Sequence, residues 1–151
     1  MTKIKTHSLI ISLLAGLFAV LILAGCSSTP QPVSSQPNEP SNATVQSNSG
    51  GSVTIEARLL GHQNGSLVFE ISMDTHSVNL NTYDLKQLAI LRDDNGGEYN
   101  PIDWSSAPGG HHRSGKLVFA HPDQSARTLE LVISNVAGVS ERVFRWQGVT
   151  G

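Results

Sequence analysis

Residues 53–73 run Val53-Thr54-Ile55-Glu56-Ala57-Arg58-Leu59, then Leu60-Gly61-His62-Gln63-Asn64-Gly65-Ser66, then Leu67-Val68-Phe69-Glu70-Ile71-Ser72-Met73. In both arms apolar residues alternate with mostly polar ones, the period of a strand with one buried face and one wet face. Gly61-His62-Gln63-Asn64-Gly65 between the arms is a turn signal. The same period returns at Leu129, Leu131 and Ile133 against Thr128, Glu130 and Val132. Gln87–Arg92, Glu98–Trp104, Lys116–Ala120 and Arg142–Gln147 supply further short apolar runs, separated by turn-forming clusters. Pro101 marks the Glu98–Trp104 strand as an edge. About seven strands with no convincing amphipathic helix predict an all-β chain, an antiparallel immunoglobulin-like β-sandwich. One helical turn fits only between Thr82 and Leu88. The expected core contains Ile55, Leu59, Phe69, Ile71, Ile90, Phe119, Leu129, Leu131 and Phe144.

Upstream of this domain the composition changes twice. Residues 27–51 are rich in Ser, Pro, Asn and Gln, with Glu39 the single charge. Such a stretch buries too little apolar surface to offset its ordering entropy, so it predicts a disordered linker. As a coil, a linker of this length spans roughly 25–30 Å. Residues 1–25 begin with Lys3 and Lys5 and continue as an apolar run from Leu9 to Gly25. Three segments follow: a signal peptide at 1–25, a linker at 26–51, and a β-sandwich at 52–151.

Leu23-Ala24-Gly25-Cys26 resembles the lipobox of bacterial lipoproteins at all four positions. The resemblance implies a diacylglyceryl thioether on Cys26, cleavage between Gly25 and Cys26, and acylation of the new amino terminus. Its chemistry needs a thiol, and Cys26 is the only cysteine in the chain. The implied location is the bacterial cell envelope, with the domain facing the periplasm or the exterior. Ser27 after the lipidated residue implies the outer membrane in a Gram-negative cell. The run Gly115-Lys116-Leu117-Val118-Phe119-Ala120-His121-Pro122, followed by Leu129-Glu130-Leu131, is similar to the late strands of telokin-like immunoglobulin domains in surface lipoproteins. That resemblance implies the sandwich and no particular activity.

Charge excludes one class of partner. The whole chain carries ten Lys+Arg against twelve Asp+Glu, which leaves no basic face for nucleic acid. A single cysteine excludes a disulfide framework and a multi-cysteine zinc site. The chain has no G-x-S-x-G elbow, S-x-x-K or P-loop, so no catalytic motif stands out, although Ser106, Ser114 and Ser125 lie in loops near histidines. The domain reads as non-catalytic, and Trp104 and Trp146 as core or lid residues.

Five histidines lie in predicted loops or at strand ends. If consecutive strands run antiparallel, His76, His111 and His112 share one end of the sandwich. His62 and His121 share the other, with Asp93, Asp94 and Asp123. At the first end Asp74, His76, Asp103, His111 and His112 form a candidate transition-metal set, suited to zinc or oxidised copper. The alternative is that these histidines are solvated and no cofactor is bound. Asp93-Asp94-Asn95-Gly96-Gly97-Glu98 lacks the alternate-position acceptors of an EF-hand and reads as a tight turn. The expected partners are the membrane, through Cys26, and a protein of the envelope.

Overall fold

A computed structural model describes residues 44–120, 123 and 125–148. The signal segment 1–25, Cys26, the linker up to residue 43 and His121 lie outside the described residues. Among these residues nine strands form two antiparallel sheets: β1 (Val45–Gly50), β2 (Val53–Gln63), β3 (Ser66–Thr75), β4 (Ala89–Asp93), β5 (Glu98–Tyr99), β6 (Pro101–Ser106), β7 (His112–Ala120), β8 (Thr128–Val136) and β9 (Val139–Gln147). One sheet has the order β1-β2-β3-β7-β6 and the other β5-β4-β8-β9. A 3₁₀ turn (Leu80–Thr82) and a one-turn helix α1 (Leu85–Leu88) connect β3 to β4. Asp84 caps α1 by accepting from Lys86 N.

The expected antiparallel sandwich is the observed fold, with two more strands than the sequence reading places. The first is β1, which corrects the boundary of the linker: residues 45–50 pair with residues 53–58 instead of belonging to the linker. Its composition hid it, because the side chains that point inward from β1 are the amides of Gln46 and Asn48. The second comes from splitting the run at 98–104. Glu98 and Tyr99 pair with β4 in one sheet, and Pro101–Ser106 pair with β7 in the other. The chain therefore changes sheets at Asn100, beside a proline with no N–H to donate and next to a bulge between Pro101 and Asp103.

The core lies between the sheets. Phe69 of β3 meets Phe119 of β7 edge-on at 5.8 Å, and Trp146 of β9 at 5.1 Å. Ile55, Ile71, Phe119, Leu131 and Phe144 are fully buried, and Leu129 nearly so. Two expected core residues differ. Leu59 is only partly buried at the rim. Ile90 is half-buried, because β4 starts at Ala89 and its inward positions are Ala89 and Leu91. Ile90 stands opposite Val132, and Val132 opposite Val143, on the outer face.

Among the described residues one charged side chain is enclosed. Arg142 has 0% exposure, donating from Nη1 to Val136 O at 2.8 Å and from Nη2 to Gly50 O at 2.6 Å. Its Nε has no partner. Burial lowers its pKa from the ordinary value, yet a guanidinium keeps its proton at any physiological pH. Two carbonyl dipoles hold the charge.

Phe69→Ala is expected to cost about 3–5 kcal/mol, because the cavity would open at the contact that joins the two sheets. Denaturant unfolding followed by Trp146 fluorescence measures it.

Candidate functional site

The β3–β7 ladder brings part of the predicted histidine set together. Asp74 and His112 are register partners, and His112 Nδ1 lies 2.5 Å from Asp74 Oδ1. One residue on, Thr75 N donates to His111 O at 2.9 Å. Thr75 is buried and donates its hydroxyl to Ser52 O at 2.6 Å, while accepting from Ser77 N and Val78 N. His76 is exposed in the bend just after β3. His76, His111 and His112 therefore occupy the same end, as the antiparallel parity predicts. His62 stands opposite Leu67, close to the Asn64-Gly65 hairpin at the other end.

The full five-residue set does not assemble. Asp103 stands opposite Val118, whereas His112 lies six positions away on β7. At about 3.3 Å per residue that is roughly 20 Å along the strand. Among the described residues no group of three or more His, Cys, Asp or Glu side chains converges. What remains is one imidazole and one carboxylate, both well exposed. Met73 is fully buried, as its alternation with Ile71 requires.

The opposite end carries a denser polar network. Asp93 Oδ1 accepts from Asn95 N at 3.0 Å and Gly97 N at 2.7 Å, which builds the expected tight turn. Its Oδ2 accepts the Tyr99 hydroxyl at 2.7 Å. That hydroxyl in turn accepts from Asp123 N at 3.0 Å. Asn95 Nδ2 donates to Asp123 Oδ2 at 3.0 Å and to Ser125 Oγ at 3.1 Å. Asp94 Oδ1 accepts from Arg127 N at 2.9 Å and Thr128 N at 3.3 Å. The β4–β5 turn is thus clasped to the segment entering β8. Sequence reading missed this clasp; only the carboxylate and amide content of 93–97 and 123–125 hinted at it.

The electrostatics follow from these bonds. Donated hydrogen bonds from Thr128 N and Arg127 N hold the Asp94 carboxyl below its ordinary value of 3.8. Donors from Ser125 and Asn95 do the same for Asp123. Donation to the Asp93 carboxylate raises the Tyr99 phenol. These shifts favour charged carboxylates as acceptors and disfavour a carboxylic acid as proton donor near neutrality. The hydroxyls of Ser106 and Ser125 are engaged structurally. Ser106 Oγ donates to Ser114 O at 2.9 Å and accepts from Arg113 Nε at 3.0 Å. Ser125 Oγ accepts from Asn95. Trp146 is buried in the core, and half-buried Trp104 has the Arg113 guanidinium over its ring at 5.6 Å. No protein-family model and no curated protein matches the chain.

Acid should release the clasp. Both carboxyls titrate lower in the folded chain than in the unfolded one. Their contribution is therefore complete above the unfolded value and is lost as pH falls through the folded one. Asp94→Asn keeps an acceptor oxygen without the charge. It is expected to be weaker than the parent at neutral pH and to lose less stability between about pH 5 and pH 2. Urea midpoints across that range test this, and parallel pH curves for the two proteins would refute it.

Proposed function

We propose that this chain is a lipid-anchored protein of the bacterial cell envelope, and that its β-sandwich is a non-catalytic binding or scaffolding module. The observation that carries the anchor is the position of the only thiol, Cys26, directly after Leu23-Ala24-Gly25. Lys3 and Lys5 before the apolar run keep the amino terminus inside, so the domain faces outward. Two or more acyl chains give stable anchoring. The non-catalytic reading is supported by the use of the domain's polar groups. Asp93, Asp94, Asp123, Asn95, Ser106 and Ser125 hold loops in place.

A second reading, transition-metal binding, is favoured by one contact. Asp74 on Nδ1 orients His112 and leaves Nε2 as the remaining ligand atom, the arrangement a carboxylate gives a metal-binding histidine. Zinc takes four ligands, so a second imidazole, His76 or His111, would have to join.

Cys26→Ser is expected to abolish incorporation of labelled fatty acid and to leave an uncleaved precursor. Crosslinking in intact cells is expected to yield one discrete heavier adduct with the parent chain and none with Cys26→Ser. Labelled fatty acid on the variant would refute the anchor. The absence of any adduct from the anchored parent would refute the scaffolding role.

A further inference from the structure

We infer that β1 is an exchangeable strand, and that its slot beside β2 and β9 also accepts β1 of a second copy of this chain. Four observations carry this. First, β1 is the most polar strand of the sandwich, Val45-Gln46-Ser47-Asn48-Ser49-Gly50. Its inward side chains, Gln46 at 7% exposure and Asn48 at 8%, replace the apolar ones that β2 and β3 send into the core. Withdrawing β1 therefore uncovers less apolar side chain than withdrawing any inner strand. Secondly, the seam holds polar atoms that the fold leaves unpaired. Asn48 Oδ1 and Arg142 Nε are buried with no partner.

Thirdly, the hinge is short and strained. The β1–β2 turn places Gly51 at φ 56° and Ser52 at φ 62°. The left-handed region suits Gly51, where a Cβ would stand 2.0 Å from Ala137 O. It does not suit Ser52, whose conformation is held by Thr75 donating to Ser52 O. Opening this turn into extended chain removes the left-handed strain, and strained short hinges favour exchange. Fourthly, the slot is selective. The Gln46 amide donates to Arg145 O and accepts from Arg145 N at 3.0 Å. Arg142 Nη2 donates to Gly50 O. A strand with glutamine four residues before that carbonyl remakes both contacts, and β1 of an identical copy has that spacing. Reciprocal exchange gives a closed two-fold dimer.

The role of the membrane in this exchange rests on the lipid anchor proposed above, which raises the effective concentration of copies. The exchange itself does not. Ser49 and Thr54 face each other across β1 and β2, with their hydroxyls 2.9 Å apart. In Ser49→Cys/Thr54→Cys, a retained β1 gives a disulfide within one chain, and an exchanged β1 gives a disulfide between two. The full chain in detergent solution, oxidised at rising protein concentration, is expected to show an increasing crosslinked dimer on non-reducing gels. Adding Ser52→Gly, which relieves the hinge, should lower the dimer share about fivefold. Val45→Cys/Arg58→Cys, the register pair at the far end of the β1–β2 ladder, repeats the test if the first pair disturbs folding. The single-cysteine parent, run alongside, measures any dimer made through Cys26. The Cys26→Ser background should preserve the concentration-dependent dimer, so loss of the anchor and loss of exchange are told apart. Intrachain disulfide alone at every concentration, or a dimer share unmoved by Ser52→Gly, overturns the proposal.

Discussion

The contact of Phe69 with Phe119 and Trp146 sets the geometry on which the rest depends. Phe69 is on β3, in the middle of one sheet, and Trp146 is on β9, at the border of the other. Seating this ring between the sheets fixes which face of β3 is inward, and strand period does the remainder. Leu67, Ile71 and Met73 follow Phe69 into the core. Glu70 and Ser72 are sent out. Across the outer face Glu70 stands between Lys116 on β7 and Arg58 on β2, with Arg58 Nε 3.2 Å from Glu70 Oε2. This alternating-sign row is solvated and contributes little stability. Its value is that charged side chains cover the outer face of β2, β3 and β7 at this level.

Charge is handled in opposite ways inside and at the ends. At the turn end, carboxylates collect backbone amides, and their charge is what those N–H groups stabilise. Inside, Arg142 has no carboxylate and relies on two carbonyls. Those carbonyls belong to Gly50, at the end of β1, and Val136, at the end of β8. One guanidinium therefore joins the two sheets where their turns meet. Tyr83 reinforces the same corner, its hydroxyl accepting from Ala137 N at 3.1 Å. A leucine at position 142 would suit the pattern of β9 but would take away the guanidinium donors of both carbonyls.

Most of the fold was legible because alternation is a local signal. Val53–Met73 and Leu129–Ile133 each announce their inward face without help from elsewhere in the chain. β1 was illegible for a physical reason. Gln46 is paired with Arg145, 99 residues away, and nothing local distinguishes it or Asn48 from linker residues. Ile90 was misplaced because an unbroken apolar run carries no parity, and the one-turn helix ahead of β4 set its start. The histidine end was readable at the level of which loops share an end. It was not readable at the level of side chains, since the strand that carries Asp103 runs on to Ser106 and pairs Asp103 with Val118, six positions from His112. The clasp at the other end depends on a meeting between residues 93–97 and 123–128, which no spacing rule encodes.

The amide of Gln46 does for β9 what a neighbouring backbone would do, occupying the N–H and C=O of Arg145. A peptide group is present at every residue and survives any substitution except proline. A side-chain amide is present only while its codon encodes it. The border of this sheet is consequently guarded by a heritable and easily lost feature. Replacing Gln46 would take both contacts from β9 in a single mutational step, with the apolar core untouched.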